Sequence, residues 1–268
     1  MIGKTFPPNI GHRKTQRQGR IFFGSTVLLF FFSLTQIDFD FSYAIKGMDE
    51  TRKIIGELFQ PDMAAVIPYL EGLWQTLAIA MLGLGFSVIL AVGLVFFTAS
   101  NTTPNPLVSK VIKVIMVFIR AIPITIWALI AAASVGFGSL AGLLGLLFPT
   151  TSYLVRILSE RVEESGGGTI EAMNACGATW LEMCFKGILV ELFPQFLATI
   201  ALRYELSVSE SVVLGMVGVA GIGYRLNMSI GTYNFRVAST GIIIVYVTML
   251  CLEIISKKIV TVIKGEGK

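Results

Sequence analysis

Of the 268 residues in this chain, 54% are hydrophobic and only 14% are charged. A soluble domain carries about 25% charged residues, so this composition, with a mean hydropathy of +0.76, excludes an ordinary water-soluble globule. The net charge of +4 does not point to nucleic acid either, because the basic residues sit at the ends of apolar runs, where they set membrane orientation.

Residues 1–20 form a polar, basic tail containing Lys4, Arg13, Lys14, Arg17 and Arg20. The apolar run Ile21–Ile37 follows, and residues 21–41 are assigned to a first span. Ser42-Tyr43-Ala44 has the small-residue character of a signal cleavage site, but the run is long for a signal core, which favours a retained helix. Residues 42–68 mix charges from Lys46 to Asp62 with Ile54, Ile55, Leu58 and Phe59. Those spacings suit a short amphipathic helix at the periplasmic membrane surface.

Residues 69–260 carry five further spans of roughly 20 apolar residues each. The second runs from about Tyr69 to Phe97, with Gly83, Gly85 and Gly93 available for close helix contacts. A link, Thr98–Ser109, leads to a third span at Val111–Val135, interrupted by Arg120-Ala121-Ile122-Pro123. After the Gly136-Phe137-Gly138 turn comes a fourth, Leu140–Leu158, and then a long polar stretch at 159–193. The fifth, Pro194–Val217, contains Arg203, Glu205 and Glu210. A glycine-rich link reaches Arg236, and the sixth span, Val237–Ile255, precedes a short tail at 261–268. The fold class is an all-α integral membrane protein with about six transmembrane helices.

Lysine and arginine fix the expected orientation. With the N-terminus inside, the internal segments hold the tail cluster, Lys110, Lys113, Arg156, Arg161, Lys186, Lys257, Lys258, Lys264 and Lys268. The external ones hold Lys46, Arg52, Lys53, Arg225 and Arg236. Both termini are therefore expected in the cytoplasm.

The polar stretch at 159–193 is the candidate functional segment. Thr169 is placed to cap a short helix, with Ile170, Met173 and Leu181 as apolar contacts and Glu171 and Glu182 as charges. Gly177 permits a sharp turn. Such a turn-broken helix pair is either a docking element for another protein or an amphipathic loop on lipid headgroups.

Ionisable groups at membrane depth cost about 2.5–3.5 kcal/mol each on insertion scales, so they should face a cavity or a partner. Arg203, Ser207, Glu210 and Leu214 share one helix face, while Glu205, Ser209 and Val212 share another. Arg203 and Glu210 stand about two turns apart, beyond an ideal i,i+4 pair. These residues either line a translocation path or lock helices together. Arg120, just before Pro123, is placed either to satisfy the carbonyl that proline frees or to snorkel to the inner interface.

Glu171-Ala172, Gly177 and Ile188-Leu189 resemble the EAA loop of bacterial ABC-transporter permeases, with Val190 where the family pattern ends in proline. Arg120-Ala121-Ile122-Pro123, Trp127-Ala128, Val135-Gly136-Phe137-Gly138 and Ala141-Gly142 resemble the phosphonate-type permeases. So do Leu202–Val208 and Val213–Gly223, although Ser209-Glu210 replaces the usual basic and small residues. The resemblance spans about residues 70–260. It implies a type I ABC importer permease in the bacterial inner membrane, importing phosphonate or phosphite-like oxyanions as a homodimer. Glu171, Ala172, Gly177, Ile188 and Leu189 would form the ATPase-coupling segment, with a periplasmic solute-binding protein delivering the ligand. Arg120, Arg203, Glu205, Ser207 and Glu210 are the candidate path residues.

No catalytic residue is expected in this chain. It contains no Gly-x-x-x-x-Gly-Lys-Ser/Thr phosphate loop, so ATP and magnesium would be bound by a partner ATPase. Cys176, Cys184 and Cys251 lack metal-ligand spacing and His12 is the single histidine, so no metal site is expected. Alternatives are the same scaffold carrying another small anion or organic solute, a channel or structural membrane subunit, and a membrane-embedded enzyme. The last lacks a clustered Asp, His and Cys set.

Overall fold

The computed structural model describes residues 12–36, 41–165 and 167–264, and every regular element among them is helical. Lys4, Gly166 and Lys268 lie outside the described residues. The chain divides into two compact units, Met1–Ile55 and Gly56–Lys268.

In the first unit, α1 (His12–Gln36) starts inside the expected polar tail, whose Arg, Lys and Gln residues are good helix formers. The amphipathic segment forms α2 (Phe41–Leu58), whose last residues, from Gly56, belong to the second unit. Its Ile54 and Leu58 are half-buried while Arg52, Lys53 and Glu57 are exposed. Asp62 then accepts a hydrogen bond from the Ala64 N–H at 2.9 Å, starting a 3-10 turn at Met63–Ala65.

The second unit continues with α3 (Val66–Thr98), α4 (Pro106–Ala121), α5 (Ile124–Val135) and α6 (Ser139–Ser165). After these come α7 (Gly167–Ala175), α8 (Trp180–Glu182), α9 (Leu189–Met216), α10 (Ile222–Gly231) and α11 (Phe235–Lys264). A π-helical turn, Met183–Ile188, joins α8 to α9. Among the described residues, five helical stretches are long and apolar enough to cross a membrane, and α4 with α5 makes a sixth if the bent pair is one span.

The third expected span is not one rod, because α4 and α5 meet at 89°. Pro123 disfavours the helical region for its neighbour, and Ile122 is extended at φ −88°, ψ 124°. Proline also removes the N–H that would bond to the Ile119 carbonyl. That carbonyl accepts instead from Trp127 Nε1 at 3.1 Å. Arg120, one candidate for the task, is exposed at the end of α4.

A second departure is α10, which occupies part of the expected glycine-rich link. Gly223 is there for proximity: a Cβ would lie 1.9 Å from the Val212 carbonyl oxygen, and one on Gly215 would lie 2.7 Å from the Gly223 backbone. The two glycines let α10 lie against α9.

The core is layered along the helices. At the end bearing residues 159–193, Leu84, Val95, Phe96, Leu154, Leu158, Cys184, Ile188 and Leu192 form the largest buried cluster. A central cluster joins Ile79, Ala128, Leu146 and Leu214. At the opposite end, Tyr69, Ile222, Leu226 and Ala238 pack together.

Candidate coupling surface and transmembrane polar seam

The segment from α7 to the start of α9 has a wet face and an anchored face. Glu171, Ala172, Asn174, Ala175, Cys176 and Gly177 are all exposed. Gly177 adopts φ +72°, the left-handed turn that glycine takes without penalty. Ile188 is fully buried, and Ile170, Met173 and Leu189 pack on the same cluster. The five expected coupling residues therefore divide: three are presented outward, and Ile188 and Leu189 hold the segment in place.

Two local expectations are corrected. Thr169 lies inside α7 rather than capping it, and its hydroxyl donates to the Glu191 carboxylate. The cap is Thr179, which forms a reciprocal box with Glu182 ahead of α8. Lys186 Nζ donates to Glu182 at 2.9 Å. Together with the Thr179 donors, it holds that exposed carboxyl down to about 2, so the cap stays ionised. The Thr179-x-x-Glu182 spacing was legible as a capping box. Leu181 is 60% exposed, and Trp180 makes the inward contact instead.

Trp180 ties the segment to the α3–α4 link. Its Nε1 donates to the Thr102 carbonyl at 2.7 Å, and its ring lies 5.1 Å from that of Phe97. The same link is fastened to α6: the Ser100 N–H donates to Glu163 at 2.7 Å and Asn101 Nδ2 to the Val162 carbonyl at 2.8 Å. The candidate coupling segment, the link and α6 thus form one braced block.

Deeper along α9, Arg203 Nη2 donates to Glu210 Oε2 at 2.6 Å and to Thr150 Oγ1 at 2.9 Å. The pair forms although the two residues lie beyond the i,i+4 spacing of an ideal helical pair. Seven residues rise about 10.5 Å, but the long Arg203 side chain spans much of that gap and Glu210 meets it. The Arg203 guanidinium also stacks over Tyr153 at 4.9 Å, a cation–π contact. Arg203 is 5% exposed and Glu210 29%. Ser207 and Ser211 are buried on the same side of α9, and among the described residues neither hydroxyl nor Arg203 Nε has a hydrogen-bond partner.

The remaining candidates lie elsewhere. Glu205 is half-buried and takes no part in the Arg203–Glu210 pair. Arg120 lines a cavity of ≈ 250 Å³ between α4 and α6 with Lys113, Arg156, Glu160 and Glu163. Both carboxylates there are engaged, Glu163 with Lys113 at 3.0 Å and Glu160 with Arg156 at 2.8 Å. Thr150, Tyr153 and Ser211 were missed by sequence reasoning. Their signal was faint: hydroxyls beside Pro149 and one turn beyond Ser207.

Comparison with known proteins places this architecture. The chain is 30% identical over 213 residues to the phosphite transport system permease protein PtxC of Stutzerimonas stutzeri, covering 80% of this chain and 77% of that protein. It is 28% identical over 251 residues to the putative phosphite transport system permease protein HtxC of the same organism, covering 92% and 88%. Among solved structures, the MetNI methionine ABC transporter in inward-facing conformations matches with a TM-score of 0.67 at 21% identity, covering 75% of this chain and 99% of that one. An amino acid ABC transporter with histidines matches at 0.59 and 16%, covering 84% and 99%. Residues 91–264 match the model for the binding-protein-dependent transport system inner membrane component. The chain belongs to that family, the ABC importer permeases, and has their type I fold.

Proposed function

We propose that this chain is the membrane-spanning permease subunit of an ATP-driven importer for phosphonate or phosphite-like oxyanions, and that it forms the translocation path as a homodimer. The observation that carries the coupling role is the exposed Glu171–Gly177 surface mounted on the buried Ile188 and Leu192. A separate ABC ATPase, holding ATP and magnesium, grips that surface from the cytoplasm, and a periplasmic solute-binding protein delivers ligand at the opposite face. Closure of the ATPase pair pushes the braced block, and the spans rock as rigid bodies. Both termini face the cytoplasm, with residues 42–68 on the periplasmic side. The phosphorus preference rests on the phosphite permeases among the relatives. A second reading, the same scaffold carrying another small solute, is favoured by 23% identity over 202 residues to a probable D-methionine permease of Vibrio cholerae.

The test is co-isolation and uptake. The permease should purify with an ATPase subunit and import phosphite or a phosphonate only when that subunit and ATP are present. Transport by the isolated membrane protein sinks the importer reading. Glu171→Lys and Gly177→Pro should uncouple ATP hydrolysis from uptake without blocking membrane insertion. Normal coupled uptake in both removes the docking role.

A further inference from the structure

The α9 seam holds a combination that a purely structural ion pair does not need. Nearly all buried polar groups in folded proteins find a hydrogen-bond partner. Here Arg203 Nε, Ser207 Oγ and Ser211 Oγ are all buried without one among the described residues. Residues 203, 207 and 211 recur at i, i+4 and i+8, so the three groups follow one side of the helix. Glu210 engages only Nη2 of the guanidinium, although the arginine fork suits two-point capture of a carboxylate or phosphoryl group.

We propose that this seam is a transit subsite for the oxyanion, in which Arg203 exchanges the Glu210 carboxylate for ligand oxygens. This rests on reading the chain as an oxyanion permease. Nε and an Nη donate to the ligand, and the Ser207 and Ser211 hydroxyls complete the cradle. The Glu210 carboxylate is thus the resting occupant of a site shaped for anions. Its 29% exposure against 5% for Arg203 places it on the open edge of the seam, where it swings outward without becoming a buried, unpaired charge. Tyr153 and Thr150 stay on the guanidinium throughout. They hold its plane and keep the cation in position while one anion replaces another. Exchange of this kind avoids leaving either charge uncompensated at membrane depth, where an unpaired ion is most costly.

The experiment is equilibrium binding of phosphite, methylphosphonate and sulfate to the full-length permease in lipid nanodiscs, without the solute-binding protein. Thermal melting of each variant is measured alongside. Ser207→Ala/Ser211→Ala should weaken phosphite binding at least about tenfold, the effect of losing charge-dependent hydrogen bonds, with an unchanged melting temperature. Glu210→Gln, which keeps the shape but removes the competing charge, should bind phosphite several-fold more tightly. Absence of oxyanion binding, equal binding in all three proteins, or a lowered melting temperature in the double variant overturns the proposal. Uptake by the assembled transporter separates this from the importer reading. Phosphite import that is indifferent to the seam variants leaves the importer standing and removes the subsite. Import of some other anion, whose binding responds to the variants, removes the phosphorus preference and keeps the subsite.

Discussion

Trp127 shows how one side chain makes a sharp bend tolerable. Pro123 deprives the Ile119 carbonyl of its helical partner, and an indole N–H eight residues later supplies the bond at 3.1 Å. Trp127→Phe keeps an aromatic ring beside Phe148, whose centroid lies 5.1 Å from that of the indole, and removes the donor together with the five-membered half of the indole. The expected loss is at least about 1–2 kcal/mol, the cost of the unsatisfied carbonyl alone, seen as a lower melting temperature of the purified protein. Melting at the wild-type temperature would mean that the bend does not depend on this bond. Arg203 makes a different point. Helix-pair rules built on three- and four-residue spacing describe isolated surface helices. In the seam, stacking on Tyr153 and a bond to Thr150 steer the guanidinium along the helix toward Glu210. No periodicity in the sequence of α9 announces partners supplied by α6.

Among elements, what the sequence made legible follows from how strongly each signal exceeded its surroundings. The long apolar runs became α3, α6, α9 and α11, with α6 and α11 running on past the expected ends at Leu158 and Ile255 to Ser165 and Lys264. The candidate coupling segment stood out by Glu171-Ala172 and Gly177; the turn expected at Gly177 is present, set by its φ of +72° rather than by a steric clash, since a Cβ there would meet open space. Short or interrupted elements were harder. α10 spans only ten residues and opens beside Gly221 and Gly223, residues that read as a link until α9 is seen pressed against them. The cap sits at Thr179 rather than Thr169, which has the right side chain in the wrong turn. Trp180 was invisible as an anchor because its partner, the Thr102 carbonyl, lies 78 residues away. Trp180→Ala should leave the helices intact but loosen the brace, reducing uptake per ATP hydrolysed by several-fold. Unchanged stoichiometry in reconstituted vesicles would show that force bypasses this contact.

For the whole molecule, orientation is the property on which the mechanism turns. The chain supplies its own reporter, since Cys176 is exposed on the proposed coupling surface while Cys184 is buried. In a Cys251→Ala background, a charged maleimide should label Cys176 in inside-out vesicles and leave it unmodified in right-side-out ones. The opposite pattern would reverse the topology. The close approach of α9 and α10 has a mechanical consequence of its own. With Gly215 and Gly223 backbone against backbone, and the Val212 carbonyl filling the space a Cβ would need, the two helices have no clearance to slide past each other. Ser211 and Val212 are adjacent on α9. Any twist of α9 around Ser211 and Val212 is therefore geared straight through to α10, so the long helix and the short one turn as one piece.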